Sequence, residues 1–253
     1  MYIDSHAHLS SEELFPKWKE LQQRAHMAGI EAIVNICTDE LSLQQGRKLQ
    51  GGSLPVYLTA ATTPHDVEKE GDSFFPLVEQ AAHHQELIAI GETGLDYYYE
   101  HSPKELQKEH LLRYFHLSVQ TNLPIIFHCR NAFADLFSLS DLSYAKKPAL
   151  IHCFTGTIEE AKQALDRGWY LSFSGILTFK KSENLRQVAK YAPLDRILIE
   201  TDAPFLAPQT KRGKENEPSF LPETAYTLSL VKDLPLDTLA EQLKANTRAF
   251  FSF

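Results

Sequence analysis

The chain has few cysteines and no long apolar run, and both absences limit what it can be. Its three cysteines among 253 residues form no C-x-x-C pair, which excludes a disulfide framework and fits a reducing compartment. It contains no stretch of about 18 consecutive apolar residues, and it opens without the basic and apolar regions of a signal peptide. We therefore expect a cytoplasmic protein that does not associate with membranes.

Positive charge is also scarce. The formal net charge is -8 and the pI is about 5.8, which argues against broad, non-specific attraction to nucleic acid. A phosphate-bearing substrate would need local neutralisation by a metal ion or a basic loop. No Ser-, Gly- or Pro-rich linker, low-complexity tract or short repeat divides the chain, so we predict one domain over residues 1–253 and a monomer.

The chain does contain a regular alternation of apolar runs and amphipathic stretches. Eight short runs rich in β-branched and aromatic residues predict buried strands: Tyr2 to Asp4, Glu31 to Cys37, Val56 to Ala61, Leu87 to Gly91, Pro124 to Cys129, Ala149 to Phe154, Trp169 to Phe173 and Arg196 to Thr201. Nine charged stretches predict helices: Trp18 to Ala28, Leu41 to Leu49, Ser73 to His84, Pro103 to Thr121, Ala132 to Leu139, Ile158 to Arg167, Ser182 to Tyr191, Pro218 to Lys232 and Leu236 to Phe250.

Eight strand-then-helix units in about 250 residues predict an α/β fold, the (β/α)8 TIM barrel, whose active sites lie at the carboxyl ends of the strands. The alternative is a doubly wound open sheet. That fold predicts a glycine-rich phosphate-binding turn after the first strand, where this chain reads Ser5-His6-Ala7-His8. We therefore favour the barrel and expect no organic cofactor.

Histidines stand at three of the strand ends. His6 and His8 are separated by one residue, so the two-residue period of a strand points both imidazoles to one face, where they can bind a cation. Asp4 shares this parity and is placed to orient a ring. Alone, the pair would be weak evidence for a metal site, because alternating histidines are more often ordinary polar residues of a strand end. His128 and His152 repeat the placement at two further strand ends.

Each of these last two histidines is followed by a cysteine, Cys129 and Cys153 respectively. Parity sends both thiols to the opposite face of the strand, toward the helices. We expect both to be small buried hydrophobic residues rather than metal ligands.

Two carboxylates complete the candidate set. Glu92 lies between Gly91 and Gly94, which permit close ligand approach, and it could bridge two cations or, alternatively, cap the next helix. Asp202 ends the last apolar run before Pro204, where it can touch a metal and accept a proton, or simply form an Asx turn. Nitrogen and oxygen ligands without thiolates suit Zn²⁺, Mn²⁺, Co²⁺, Ni²⁺ or Mg²⁺.

At these residues the chain resembles the TatD family of metal-dependent hydrolases almost from end to end. The resemblance rests on seven motifs: Asp4-Ser5-His6-Ala7-His8-Leu9, Gly91-Glu92-Thr93-Gly94-Leu95-Asp96-Tyr97, His128-Cys129-Arg130, His152-Cys153-Phe154-Thr155-Gly156, Ser172-Phe173-Ser174-Gly175, Glu200-Thr201-Asp202-Ala203-Pro204 and Asn216-Glu217-Pro218. It implies a TIM barrel with a one- or two-metal centre that hydrolyses phosphodiesters, typically as a deoxyribonuclease.

By motif match, two divalent cations would be held, one by His6, His8, Glu92 and Asp202 and the other by Glu92, His128 and His152. Glu92 would then be the bridge between them. In such a centre the cations lower the pKa of water, and Asp202 is expected to act as the general base.

Two motifs depart from the family pattern. Where the family carries Gly-x-His-Pro-His after the third strand, this chain has Thr63 in place of the first histidine. In the basic loop near the end, commonly Arg-Gly-Lys-Arg-Asn-Glu-Pro, Glu215 replaces a positive charge. Both changes bear on substrate binding and not on the metal ligands.

Substrate contacts are expected from loops at the same end of the barrel. The available cations are Arg130, Lys180, Lys181, Lys211, Arg212 and Lys214, of which we select Arg130, Lys180, Arg212 and Lys214 as phosphate contacts. The alternative is that some are solvated surface charges. Tyr97, Tyr98 and Tyr99 could stack on unpaired bases or merely pack over the barrel rim.

Our leading expectation is a phosphodiesterase that acts on DNA or short nucleic acid, at ends or on single strands. A hydrolase of a small amide, ester or lactone is the first alternative, because similar barrels serve many reactions. Thr63 and Glu215 favour it slightly. The second alternative is a non-catalytic metal-binding barrel that serves as an interaction partner, which the complete ligand set argues against.

Overall fold

The computed structural model describes all 253 residues. Its eight strands are Tyr2–Ala7 (β1), Ile30–Cys37 (β2), Val56–Ala60 (β3), Leu87–Asp96 (β4), Ile125–Arg130 (β5), Ala149–Ile151 (β6), Tyr170–Phe173 (β7) and Ile197–Ile199 (β8). They pair in sequence order, and every pair is parallel. The strands form a nearly closed barrel, as the strand count predicted.

Helices connect successive strands and cover the outside of the barrel. They are Trp18–Met27 (α1), Glu40–Leu49 (α2), Val67–His83 (α3), Lys104–Thr121 (α4), Phe133–Ser143 (α5), Ile158–Asp166 (α6), Glu183–Tyr191 (α7), Leu221–Lys232 (α8) and Leu236–Phe251 (α9). Short 3₁₀ turns occupy Phe15–Lys17, Gly175–Thr178, Leu194–Arg196, Gln209–Lys211 and Pro218–Phe220. No helix has the combination of length and apolar character needed to cross a membrane.

Local sequence explains where several helices begin and end. Asp39 begins α2 with a capping box, accepting a hydrogen bond from the Ser42 amide, and a side-chain oxygen at this position satisfies an otherwise unpaired helix N–H group. Gly29 and Gly168 have φ values of +83° and +79°, as expected for left-handed residues after a helix. The prediction for α3 was wrong at its start, because the helix begins six residues before Ser73 and accommodates Pro76.

The core has two parts. The larger is a cluster of 55 buried apolar residues between the strands and the helices. The smaller lies inside the barrel, where interior side chains such as Ile126, Leu150 and Leu198 meet Phe250 and Phe251 at the end of α9. The end of α9 therefore packs against apolar side chains of the strands, and the carboxyl ends of the strands carry the polar side chains.

β8 and β1 are not paired as a regular ladder. Individual backbone and side-chain hydrogen bonds join them instead. The amide of Asp202 donates to the His6 carbonyl at 2.9 Å, and the amide of His8 donates to the Ala203 carbonyl at 2.7 Å. The Ser5 hydroxyl donates to the Ile199 carbonyl at 2.9 Å. These bonds hold the ends of the first and last strands together, so residues that follow β8 face the histidines of β1.

Candidate metal centre

Six polar side chains predicted from five strand ends come together at the carboxyl end of the barrel. The carboxylate of Glu92 is central: its Oε2 lies 2.9 Å from His6 Nε2 and 3.1 Å from His152 Nε2. The rings of His6 and His152 are stacked, with centroids 3.9 Å apart. All three side chains are buried, so they meet in a site that excludes bulk water.

On one side of Glu92 lies a group made by β1 and the residues after β8. Asp202 Oδ1 is 3.4 Å from His8 Nε2 and 3.7 Å from His6 Nε2, and the two imidazole nitrogens are 3.3 Å apart. His6, His8 and Glu92 offer ligand atoms that all lie within 4.8 Å of one another. This spacing suits several ligands around one cation.

On the other side of Glu92 lies a group made by β5 and the residue after β6. His128 Nδ1 is 3.3 Å from His152 Nε2. These two histidines and Glu92 again have ligand atoms within 4.8 Å of one another. Glu92 belongs to both groups, which is the arrangement expected of a bridging carboxylate.

The donor atoms fit divalent cations. Glu92 Oε2 is buried and makes no hydrogen bond of acceptable geometry, although Nε2 of His6 and Nε2 of His152 lie within 3.1 Å of it. Unpaired buried carboxylate oxygens are costly, and a cation at the point where these atoms converge would satisfy them. Imidazole nitrogens and carboxylate oxygens are the ligand types of the metal-activated hydrolases.

Burial and the charges of neighbouring groups shift the pKa values of the site residues. Burial acts to lower the pKa of His152, but the carboxylates of Glu92 and Glu200 outweigh it and raise that pKa to about 10. Burial acts to raise the pKa values of Glu92 and Asp202, but the neighbouring histidines outweigh it and hold both below their ordinary values. Because ligating imidazoles must be neutral, cation binding has to displace a proton from this group.

Two further carboxylates support the histidines, and we did not assign them a role from the sequence. Asp96, at the end of β4, has Oδ2 2.9 Å from His128 Nε2, which leaves Nδ1 of that ring directed at the second group. Burial acts to raise the pKa of Asp96, but His128 and the amides of Tyr98 and Tyr99 lower it to about 2. Glu200 Oε1 lies 3.4 Å from His152 Nδ1. Carboxylates behind ligating histidines fix ring orientation; their presence in the motifs Gly91 to Tyr97 and Glu200 to Pro204 was the available signal.

The prediction that Asp4 orients a ring was wrong. Its carboxylate instead accepts hydrogen bonds from the Thr201 amide at 2.9 Å and the Thr201 hydroxyl at 2.5 Å. Asp4 therefore holds the turn that carries Asp202. Complete burial raises the pKa of Asp4 to about 7, against the lowering effect of those hydrogen bonds.

The two cysteines after the histidines differ in environment. Cys129 is buried in the outer core, as expected. Cys153 follows the end of β6 at Ile151, so strand parity does not reach it, and its Sγ lies 3.2 Å from Ser174 Oγ. Its amide donates to Glu200 at 2.6 Å, which makes Cys153 part of the polar support of the site and not of the apolar core.

The predicted phosphate contacts lie in three places. Arg130 stacks on Tyr98 and Tyr99, with its guanidinium carbon 3.8 Å and 4.7 Å from the ring centroids. Arg212 and Lys214 line a cavity of about 260 Å³. Lys180 is exposed and does not line this cavity.

Three other side chains near the site form hydrogen bonds or ion pairs with neighbouring residues. Tyr97 donates to Asp135 at 2.7 Å, so it packs over the rim while Tyr98 and Tyr99 remain half exposed. Thr63 donates to Asp66 at 3.1 Å, and Glu215 pairs with Lys17.

One aromatic residue was missed by the sequence reasoning. Phe205 is 54% exposed, and its ring centroid lies 5.9 Å from that of His8 in an edge arrangement. It follows Pro204 directly, which is the signal that could have indicated it.

A parallel barrel with imidazole and carboxylate groups at the carboxyl ends of its strands defines the metal-dependent hydrolase class, and comparison with known proteins agrees. The sequence model of the family described as "TatD related DNase" matches residues 3–252. A Bacillus subtilis (strain 168) protein named "Uncharacterized metal-dependent hydrolase YabD" is 33% identical over 99% of both chains.

Two further similar proteins carry the TatD name. The protein named "3'-5' ssDNA/RNA exonuclease TatD" from Escherichia fergusonii is 29% identical over 98% of both chains. The crystal structure of YJJV, a TatD homologue from Escherichia coli K12, superposes with a TM-score of 0.93 at 25% identity, covering all of this chain and 98% of the other. The chain belongs to the TatD-related DNase family of metal-dependent hydrolases.

Proposed function

We propose that this protein is a divalent-metal-dependent phosphodiesterase that removes nucleotides from the ends of DNA or short single strands. The observation that carries the proposal is the position of Glu92, whose buried carboxylate lies between two groups of imidazoles. One cation would be held by His6, His8, Glu92 and Asp202, and a second by Glu92, His128 and His152.

Divalent cations in such a centre supply positive charge to the phosphate and lower the pKa of water. The chain's own residues do the rest. Asp202 is a carboxylate at neutral pH, because the neighbouring histidines hold its pKa below the ordinary value. It can therefore accept the proton of the attacking water. The water oxygen bonds to phosphorus, the bond from phosphorus to the leaving oxygen breaks, and that oxygen takes up a proton from solvent.

Local charge favours an anionic substrate despite the net charge of -8. Arg212 and Lys214 line a cavity on the loop that follows Asp202. Glu215, which departs from the family pattern, forms an ion pair with Lys17 and does not line that cavity. The two cations therefore remain available to phosphates.

Exposed aromatic rings beside the site favour nucleic acid over a small ester or amide. Tyr98 and Tyr99 are half exposed, and Phe205 lies against the edge of His8. Aromatic surfaces of this kind stack on unpaired bases without sequence preference. The name of the Escherichia fergusonii relative, a single-strand exonuclease, agrees with this substrate class.

The proposal is tested by incubating metal-stripped protein with end-labelled single-stranded DNA and Mg²⁺ or Mn²⁺. We expect metal-dependent shortening by the parent and a loss of at least about a hundredfold in Asp202→Asn, the usual scale of general-base removal. Asp195→Asn, an exposed aspartate that precedes β8, is the matched control and should match the parent. Equal shortening by Asp202→Asn would contradict the role of Asp202, and no shortening by metal-loaded parent would indicate a small-molecule substrate.

A further inference from the structure

A second cavity, of about 220 Å³, opens beside His8 between the carboxyl ends of β1 and β2 and the start of α2. Hydroxyl, amide and carboxylate groups dominate its lining, which includes Ser10, Ser11, Glu12, Thr38, Asp39 and Gln45. No lysine or arginine is among its ten lining residues. Since His8 belongs to the candidate metal centre, whatever occupies this cavity lies next to the reacting group.

The polar groups of the cavity call for a ligand that donates hydrogen bonds. Gln45 Oε1 is buried and has no partner, so it is a free acceptor. Glu12 and Asp39 add two carboxylates, which only accept hydrogen bonds when ionised; one Asp39 oxygen already accepts from the Ser42 amide, so its second oxygen remains for a ligand. Sugar hydroxyls and base amino groups are donors that fit these acceptors, whereas a phosphate dianion offers none and would be repelled.

The cavity lined by Arg212 and Lys214 has the opposite charge and is formed by residues that follow β7 and β8, not by residues near β1 and β2. Phe205 contacts the edge of His8 and is followed directly by Leu206, which lines that basic cavity. Phe205 therefore adjoins both His8 and a residue that lines the basic cavity, while His8 also lines the acidic cavity. A nucleic-acid strand bound at the metal centre would therefore meet carboxylates in one cavity and basic side chains in the other.

We propose that the cavity beside His8 binds the terminal nucleoside of the strand, with its free hydroxyl, while the remaining phosphates lie toward Arg212 and Lys214. This inference rests on the proposed exonuclease function. It adds that the attacked end of the strand must carry a free hydroxyl. The volume is below the ~300–1,000 Å³ of sites for drug-sized ligands, which suits one part of a larger substrate. A phosphate on the attacked end blocks the enzyme.

The test compares three short single-stranded oligonucleotides of one sequence: one with hydroxyls at both ends, one with a 3'-phosphate and one with a 5'-phosphate. Release of mononucleotides by the metal-loaded protein is followed by chromatography. We expect the phosphate at the attacked end to slow release at least about tenfold, equivalent to ~1.4 kcal/mol. In Glu12→Lys that ratio should fall by several fold. Glu13→Lys, an exposed neighbour outside the cavity lining, should keep the parental ratio.

The outcomes separate this inference from the function on which it rests. Degradation of all three oligonucleotides at equal rates would overturn the inference and leave the proposed function standing. An equal effect of Glu12→Lys and Glu13→Lys on the ratio would overturn the assignment of the cavity. No degradation of any oligonucleotide by metal-loaded protein would overturn the proposed function and the inference with it.

Discussion

Replacing Gly94 with alanine should damage both the barrel and the metal centre. A Cβ at this position would lie 2.0 Å from the His128 carbonyl oxygen, 3.0 Å from its carbonyl carbon and 3.1 Å from its nitrogen. Gly94 pairs with His128 in the ladder between β4 and β5. All three contacts are with backbone, so no flexible side chain can move aside, and the strands must separate by about 1 Å to reach even 3.0 Å.

The expected cost follows from two effects. Overpacking that shifts backbone costs ~1–3 kcal/mol, and the φ of +148° at Gly94 is a region that costs other residues ~1–3 kcal/mol. We expect Gly94→Ala to lose ~2–6 kcal/mol, a large part of the ~5–15 kcal/mol that stabilises a typical domain. Displacement of His128 relative to Glu92 should also lower the metal content of the folded fraction.

The assay is urea unfolding followed by circular dichroism, together with metal analysis of the folded protein. Gly168→Ala is the matched control, because Gly168 has a φ of +79° and nothing within 4 Å of its added Cβ. It should lose only the backbone cost of a left-handed residue, ~1–2 kcal/mol. If Gly94→Ala were as stable as Gly168→Ala and bound as much metal, the argument from close strand approach would be refuted.

Three further predictions concern contacts around the barrel mouth. Asp96→Asn should weaken metal binding about 10–100-fold without unfolding the protein, because it releases the ring of His128; calorimetric titration with Mn²⁺ measures this. Arg24→Met should lose ~0.5–1 kcal/mol at neutral pH. Arg24 lowers the pKa of Glu217, so this loss should shrink as acid protonates Glu217, as urea unfolding across pH would show. Phe205→Ala should raise KM for single-stranded DNA several fold, equivalent to ~1–3 kcal/mol of lost stacking.

Each of these has an outcome that would contradict it. Unchanged Mn²⁺ affinity in Asp96→Asn would mean that the contact with His128 does not position the ring. A stability loss in Arg24→Met that grows in acid would contradict the prediction, which requires the loss to shrink as Glu217 becomes protonated. Tyr226, an exposed aromatic of α8, provides the control for stacking, and an equal KM change in Tyr226→Ala and Phe205→Ala would remove Phe205 from the substrate path.

The barrel could be predicted from the sequence because its strands are short, apolar and regularly spaced. His128 in β5 follows simple alternation from the buried Ile126, so its placement was also accessible, whereas the pairing of β1 is irregular between Asp4 and Ala7. The six candidate ligands converge at the barrel mouth, whereas the contacts of Asp96 and Glu200 behind them were not predicted.

What alternation could not predict is the course of the chain where strands become irregular. Ala89 faces the barrel interior, and strict alternation would then direct Glu92 outward. The register between β4 and β5 shifts after Ile90, and Glu92 turns inward as a result. The shift coincides with a close approach of β4 to β5 at Gly91 and Gly94, where an added Cβ would lie 2.6 Å and 2.0 Å from atoms of β5.

The supporting contacts depend on tertiary structure in the same way. Asp4 lies in the first strand and Thr201 after the last, and the barrel must close before the two can bond. Strand β6 ends at Ile151, three residues earlier than predicted, so parity cannot place Cys153. A sequence pattern locates residues on elements, but it does not say which distant element they meet.

The most direct test of the account is the number of metal ions per chain, measured by mass spectrometry after reconstitution with Mn²⁺ and removal of free ion. We predict two ions in the parent, one each in His8→Ala and His128→Ala, and fewer than one in Glu92→Ala, because Glu92 lies between both groups. His26→Ala, an exposed histidine of α1, should keep both ions. A parent that binds no ion, or a Glu92→Ala variant that keeps both, would contradict the central claim.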